Sequence, residues 1–510
     1  MQDAGYKMQD AGYKMQDAGY KMQSELKQVI TRELMLDLYR DHRAAISVGD
    51  YPSLSALRDA AIRSFEESGF PTAKLESWKN TDLKESFAKE YDVVMKPEEG
   101  VDVQKVFRCN IPHLDTAIMG QLNGWYVSKD VPLMELGNGI IMGSLASAMK
   151  KYPKLIEAHL GKYTNPQPYS VKNSVTNSVT NPVTNSFTDS FTSLNTAFFQ
   201  DGVFIYIPDN VKSPKPVQII NVIHDDKNLF LQSRNLVVLG KNSRLSLVHC
   251  DDSYNQQPSF SNVVTEIHLD EHAVLDHYKL QNLNNSSTLI SSVYFQMEAS
   301  ARLESHYISL NGGLLRNNIR LRFNGPFGNA NIYGIYLMDR KQHIDNRVFV
   351  DHACPDCTSG ELFKGILDEH SSGVFNGHVL VQRNAVRTNA YQTNRNILLT
   401  ETAKVNSKPF LEIYNDDVKC SHGSTTGQLD QEAMYYLRQR GIGEDSARML
   451  LMYAYADEVI GKIGIDPLRF RIEDMVKKRL QGELQICEAC VLHCNTPEQP
   501  VEFVIDLTKI

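Results

Sequence analysis

Three stretches decide how this chain reads: LGKNSRL at 239–245, LDEHAVL at 269–275 and MEASARL at 297–303. Each sets two apolar residues around a small one, as in Leu239/Ser243/Leu245, Leu269/Ala273/Leu275 and Met297/Ala301/Leu303. A fourth copy, LTETAKV, occupies 399–405, and looser versions surround Ala330 and Ser372. The small residues at 243, 273, 301, 330, 372 and 403 are separated by 30, 28, 29, 42 and 31. Short strands recurring near every ~30 residues suit the stacked coils of a β-solenoid. An antiparallel sandwich with chance spacing is the alternative. The spacing of 42 reads as an insertion, and that interval contains Cys354-Pro-Asp-Cys357.

Outward from these stretches, strand-like alternation runs from about Phe198 to Cys420. Val203–Ile207 and Asn235–Leu239 read as short apolar strands, and IRLRF at 319–323 alternates strictly. Helical spacing precedes them, at Leu26, Val29, Ile30, Leu34 and Leu38 and again at Leu54, Leu57, Ala61 and Phe65. Helices resume after the strands. Asp430 suits an N-cap and Gly441 a C′ position. Met449, Met452, Tyr453, Ala456, Val459 and Ile460 form a stripe, either core or partner surface. Asp466-Pro467 reads as an N-cap and N1 pair.

The expected organisation is a mainly β chain with flanking helices. Residues 1–21, three copies of MQDAGYK, read as a disordered tandem-repeat extension, with Met1, Met8, Met15 and Met22 as candidate starts. Residues 22–192 form a helical or mixed region with a variable loop at 170–192, where NSVTNSVTNPVTNSFTDSFT repeats. A β core covers 193–425, a helical domain 426–480 and a cysteine-containing tail 481–510.

With 510 residues, the chain exceeds one ordinary core. A net charge of −8 offers no broad basic face for nucleic acid. No apolar run approaches the ~18 residues of a membrane span, and the N-terminus lacks a signal-peptide core. A cytoplasmic location is expected, where the eight cysteines would serve as ligands or free thiols.

GxxxxGK[ST], HExxH and GxSxG are all missing, so ATP binding through a P-loop is not expected. Cys420-Ser-His422 places a thiol and an imidazole two residues apart. On a strand they share a face and suit a soft metal or iron–sulfur cluster. A buried thiol beside a hydrogen-bonded histidine fits the pattern equally. Cys354 and Cys357, with His352 nearby, have the spacing of half a tetrahedral site, of a redox pair or of free thiols. In the tail, Cys487, Cys490, His493 and Cys494 supply four soft donors within eight residues. They form a metal site or a reducible tail.

Longer stretches carry a resemblance. DDVKCSHGSTTGQLDQEAMYYLRQRGI at 416–442, SLNTAFFQDGVFIYIPDNV at 193–211 and SRNLVVLGKNSRLSLV at 233–248 resemble the SufB/SufD family of iron–sulfur cluster assembly proteins. So do DHACPDCTSGELFKGILDEHSSGVFNGHVLV at 351–381 and FPTAKLESWKNTDL at 70–83. Gly423 after Cys-Ser-His resembles the D-type branch, since the B type typically has glutamate there. The resemblance implies a right-handed parallel β-helix core with N-terminal and C-terminal helical regions. It implies a non-catalytic scaffold subunit that pairs with SufB through the β-helix. It also implies docking of the ATPase SufC on the C-terminal helices, between Asp430 and about Gly461. A transient iron–sulfur cluster, shared with SufB and passed to apo-proteins or carriers, follows, as does a role in iron acquisition. His422 matches the family histidine proposed to contribute to that cluster, and Cys420 the neighbouring cysteine. The repeats, the CxxC and the tail depart from the family pattern.

Two other readings are weighed. One is a B-like scaffold acting alone, with homodimerisation open to the isolated chain. The other is a β-helix carbohydrate-active enzyme, for which Asp351, Glu361, Asp368 and Glu369 are the acidic candidates.

Overall fold

The structure, a computed structural model, describes residues 28–98, 111, 113–128, 131–164 and 189–481. Sixteen strands from Val203–Ile207 to Val418–Gly427 alternate between two sheets. Each of the first fourteen pairs in parallel with the strand two ahead of it, so Leu245 stacks on Leu275 and Leu275 on Leu303. This is a two-sheet parallel β-solenoid. Its interior is lined by Leu245, Leu247, Leu275 and Leu303 from one sheet and Val263, Ile267, Val293 and Ile319 from the other. Burying each such side chain contributes about 1.5–3 kcal/mol, and stacking identical positions lets every coil repeat the gain.

The period arises at one corner of the coil. Asn242, His272, Ser300, Phe327, Asp356 and Arg387 all take positive φ, between 55° and 62°. Ser243, Ala273, Ala301, Gly328 and Cys357 follow them, each buried and directly ahead of a strand. The left-handed residue bends the chain, and only a small side chain fits beneath the bend. Backbone bonds stack these corners, as in His272 N–H to Ala299 O and Asp356 N–H to Val386 O, both 2.9 Å.

The expected insertion is absent. Ala330 stacks on Ser359 and Ser359 on Ala390 in one sheet, whereas Ser372 opens a strand of the other sheet. The spacing of 42 is therefore a change of sheet. Cys354-Pro-Asp-Cys357 is an ordinary corner, with Asp356 as its left-handed residue.

Helices cover both outer faces. Arg32–Ile46, capped by Thr31, and Pro52–Ser68 pack with Ser190–Phe198 over the twelve-stranded sheet, against Phe230, Phe260 and Ile290. The loop expected to reach residue 192 thus stops short of Ser190. Asp189 caps a helix there, accepting from Phe191 N–H, and Ser190, Phe191 and Thr192 are buried. The repeat-like composition concealed that helix start. Residues 165–188, the tandem repeats at 1–21 and the tail after 481 lie outside the described residues.

Glu444–Ile460 and Asp466–Leu480 cover the ten-stranded sheet, with Met452, Ala456, Val459, Ile472 and Met475 on Val248, Tyr278, Ile308 and Ile335. That stripe is core packing. Asp466 is the first helical residue, with Ile465 at the N-cap, so its carboxylate pairs with Arg469 at 2.9 Å instead of capping.

The two ends of the solenoid differ. At the N-terminal end, Ala117–Leu122 pairs with Val217–Ile223 and Ile141–Ser144 with Val203–Ile207. At the other end, Lys404–Ile413 and Val418–Gly427 are the last members of their sheets.

Candidate functional site at the open end of the solenoid

The strand that carries the Cys-Ser-His motif runs on to Gly427, past the point where apolar alternation ends. It needs no apolar face because most of it is exposed. Register places Cys420 and His422 on the inward-facing side. Cys420 stacks on Ala390, the last rung of the column Leu245, Leu275, Leu303, Ala330, Ser359 and Ala390. It packs, half-buried, against the solenoid core, and burial pushes its thiol up.

His422 tops the neighbouring column. Below it stand Gln392, Glu361, Ile332, Ser305, His277 and Leu247. The two members nearest the open end are polar although buried. Gln392 Nε2 donates to Glu361 Oε2 at 2.9 Å, and burial pushes the Glu361 carboxyl up to about 7. The imidazole of His422 is exposed. Across the coil, Ser424 Oγ lies 2.7 Å from Ser407 Oγ, closing the two sheets onto each other beside the histidine.

This arrangement offers a nitrogen and a sulfur donor on one strand face. His422 is the readier ligand, because its imidazole is exposed and binds a metal through a neutral ring nitrogen. Cys420 must lose a proton that its surroundings retain. Among the described residues, no group of three or more His, Cys, Asp or Glu side chains is placed to hold a metal ion.

The other sequence candidates do not converge on a site. Cys357 is buried beneath its corner, its thiol pushed up to about 11 and donating to Gly325 O at 3.4 Å. Cys354 is a free thiol, and His352 bonds Ser359 Oγ at 2.9 Å and packs its ring, tilted by 35°, against Phe323. Burial holds His352 down at about 3. Cys487, Cys490, His493 and Cys494 lie outside the described residues. The four carboxylates considered for glycoside chemistry share no face. Glu361 points into the solenoid, Asp351 lies in the opposite sheet and accepts from Gln382 Nε2, and Asp368 and Glu369 sit at a corner.

Residues 222–455 match the family model described as the SUF system FeS cluster assembly SufBD core domain, and residues 30–219 match the SufBD protein N-terminal region. The chain belongs to the SufB/SufD family. A SufBD family iron–sulfur cluster assembly protein of Synechocystis is 28% identical over 418 residues, 80% of this chain and 87% of that one. The SufD protein of Escherichia coli is 31% identical over 249 residues, 49% of this chain and 59% of its own length. The SufD protein of Bacillus subtilis is 24% identical over 298 residues, 57% and 66% of the two chains. The matches thus span under two thirds of both SufD relatives. The flanked β-solenoid and the place in iron–sulfur cluster assembly expected from the resemblance are both met.

Sequence reasoning missed Gln392 and weighed Glu361 only as a glycoside carboxylate, not as a neighbour of His422. The signal was present as register. Counting back 30 residues from His422 reaches Gln392, and a further 31 reaches Glu361, once the corner positions fix the period.

The C-terminal helices divide into two kinds. Gln431–Gln439 is capped by Asp430, whose Oδ1 accepts from Glu432 and Ala433 N–H at 2.9 and 3.0 Å. It buries no residue and exposes Tyr435 at 66% and Tyr436 at 58%. Glu444–Ile460 is instead fastened to the sheet, with Glu458 pairing Lys364 at 2.6 Å and Arg395 at 3.3 Å.

Proposed function

We propose that the chain is a D-type scaffold subunit. It presents His422, with Cys420 beside it, to a nascent iron–sulfur cluster completed by a B-type partner across the open end of the solenoid. The observation that carries this reading is that, among the described residues, the last strands Lys404–Ile413 and Val418–Gly427 are paired on one side only, and the second bears both donors. A parallel solenoid leaves a row of unpaired backbone groups at such an end, and a second solenoid satisfies them by continuing both sheets. Two donors fall short of the ligands a cluster takes, which favours a shared site over one held by this chain alone.

The ATPase SufC would dock at the exposed helix Gln431–Gln439, since the next two helices already spend their apolar faces on the sheet. ATP binding would belong to that partner, and the cluster would pass to apo-proteins or carriers. Iron acquisition fits a histidine exposed before the partner closes over it. No helix among the described residues is long and apolar enough to cross a membrane, in keeping with a cytoplasmic assembly.

Co-expression with a B-type partner and SufC tests this. A ternary complex is expected, and its failure to form sinks the docking surface. His422→Ala should lower the iron and sulfide recovered with the complex severalfold while all three subunits co-purify. An unchanged yield removes His422 from the site.

A further inference from the structure

Large apolar side chains are covered along the length of the solenoid and uncovered at its open end. Among the described residues between 203 and 387, Phe327 is the one that is exposed. In the last strands, or directly after them, Tyr391, Phe410, Ile413 and Tyr414 are exposed together. Single exposed apolar residues are ordinary, but a cluster confined to one end marks a contact surface.

Phe410 shows what covers it. It ends an aromatic column on the outer face of the twelve-stranded sheet. Ring centroids there are 5.0 Å apart between Phe349 and His378 and 4.9 Å between His378 and Phe410. Phe410 has no further strand beyond it among the described residues, and it is 47% exposed. A strand that continued the sheet would set its own side chain over this ring, about 4.8 Å away.

The N-terminal region reaches the same rim. Trp78 is buried, with the Arg316 guanidinium carbon 3.6 Å from its ring centroid. Thr81 Oγ1 donates to Asp345 Oδ2 at 2.7 Å and lies 3.0 Å from His343 Nε2. These anchors fix the turn that precedes them, yet residues 72–77 are all exposed, Leu75 at 47%. Glu76 pairs with Lys408 at 2.8 Å, two residues from Phe410 on the outer side of the last strand. An exposed pair of this kind adds little stability, so it reports where the turn lies.

We propose that the turn at 72–77, through Leu75, and Phe410 form one contact surface for the partner solenoid. The interface then spreads from the strand edges onto the outer face of the twelve-stranded sheet. This inference rests on the pairing proposed above and adds the N-terminal region to it. Lys404 and Lys408 on the last strand, with Lys79 beside Glu76, border the two apolar side chains. They suit a partner patch that is apolar at its centre and acidic around it.

The test is a titration of the full chain with a purified B-type partner. Leu75→Asp and Phe410→Asp, both at exposed positions, should each weaken binding about tenfold or more, the loss of an apolar anchor. Val48→Asp, in the turn after Arg32–Ile46 where Val48 is 67% exposed, should leave binding unchanged. Urea melts establish that each variant is folded. Wild-type affinity in either Asp variant at the rim overturns the shared surface and leaves the pairing itself standing. A wild-type chain that binds no B-type partner sinks the pairing and this surface with it. Variants that lose a homodimer in size exclusion but bind the partner normally assign the surface to a second copy and overturn the proposal.

Discussion

Cys420 and His422 leave the same strand face and meet different surroundings. The cysteine continues an apolar column and packs on the core, while the histidine stands over Gln392 in solvent. Cys420→Ala should therefore cost well under half of the cluster yield lost in His422→Ala, measured as iron per complex. Equal losses would make the thiol a ligand of the same rank. Glu361 carries a pH prediction. In the folded chain it keeps its proton up to about 7, whereas an unfolded glutamate releases it near ~4.3. Between those values the folded state binds more protons, so stability falls as pH rises through the window. Glu361→Gln removes that slope. In urea melts, the variant should gain on the wild type by on the order of 2–3 kcal/mol between about pH 5 and 8. A gap that stays constant would show the carboxyl ionised throughout.

At the scale of elements, local signals were read correctly where the chain itself supplies the partner. The Asp430 cap and the Gly441 stop, with φ at 83°, follow from side chain and backbone within one turn. Asp430→Ala should destabilise Gln431–Gln439 by about 1 kcal/mol, seen as faster amide exchange at Glu432 and Ala433 with the rest of the chain unchanged. Slower or equal exchange would deny the cap any role. Reading failed where an element depends on distant neighbours. The strand Val418–Gly427 lacks an apolar face and holds only through its ladder to Thr388–Leu398. The CxxC has the spacing of a ligand pair, of a redox pair or of free thiols, and its two cysteines are free. Its actual constraint is a corner that needs a left-handed residue followed by a small one, which Asp356 and Cys357 meet.

Among the described residues, the solenoid is covered at one end and open at the other, and stability should follow that asymmetry. Leu303 lies between Leu275 and Ala330 in the closed interior, whereas Leu411 is half-buried in the last coil, with no further strand beyond it among the described residues. Leu303→Ala should cost about 2–5 kcal/mol and Leu411→Ala about 1 kcal/mol in urea denaturation, because only the first leaves an enclosed cavity. Binding of a partner at the open end should raise the second cost and leave the first alone. Equal costs in the isolated chain would mean that the end is already covered. The period near ~30, the solenoid and the helices at both ends were legible in the sequence, because corner chemistry and apolar alternation are local and repeat in every coil. The sheet to which a small residue belongs, and the burial of Glu361 and Gln392 beneath His422, were decided only by the tertiary structure. Those relations depend on register between strands ~30 residues apart, which no single stretch of chain contains.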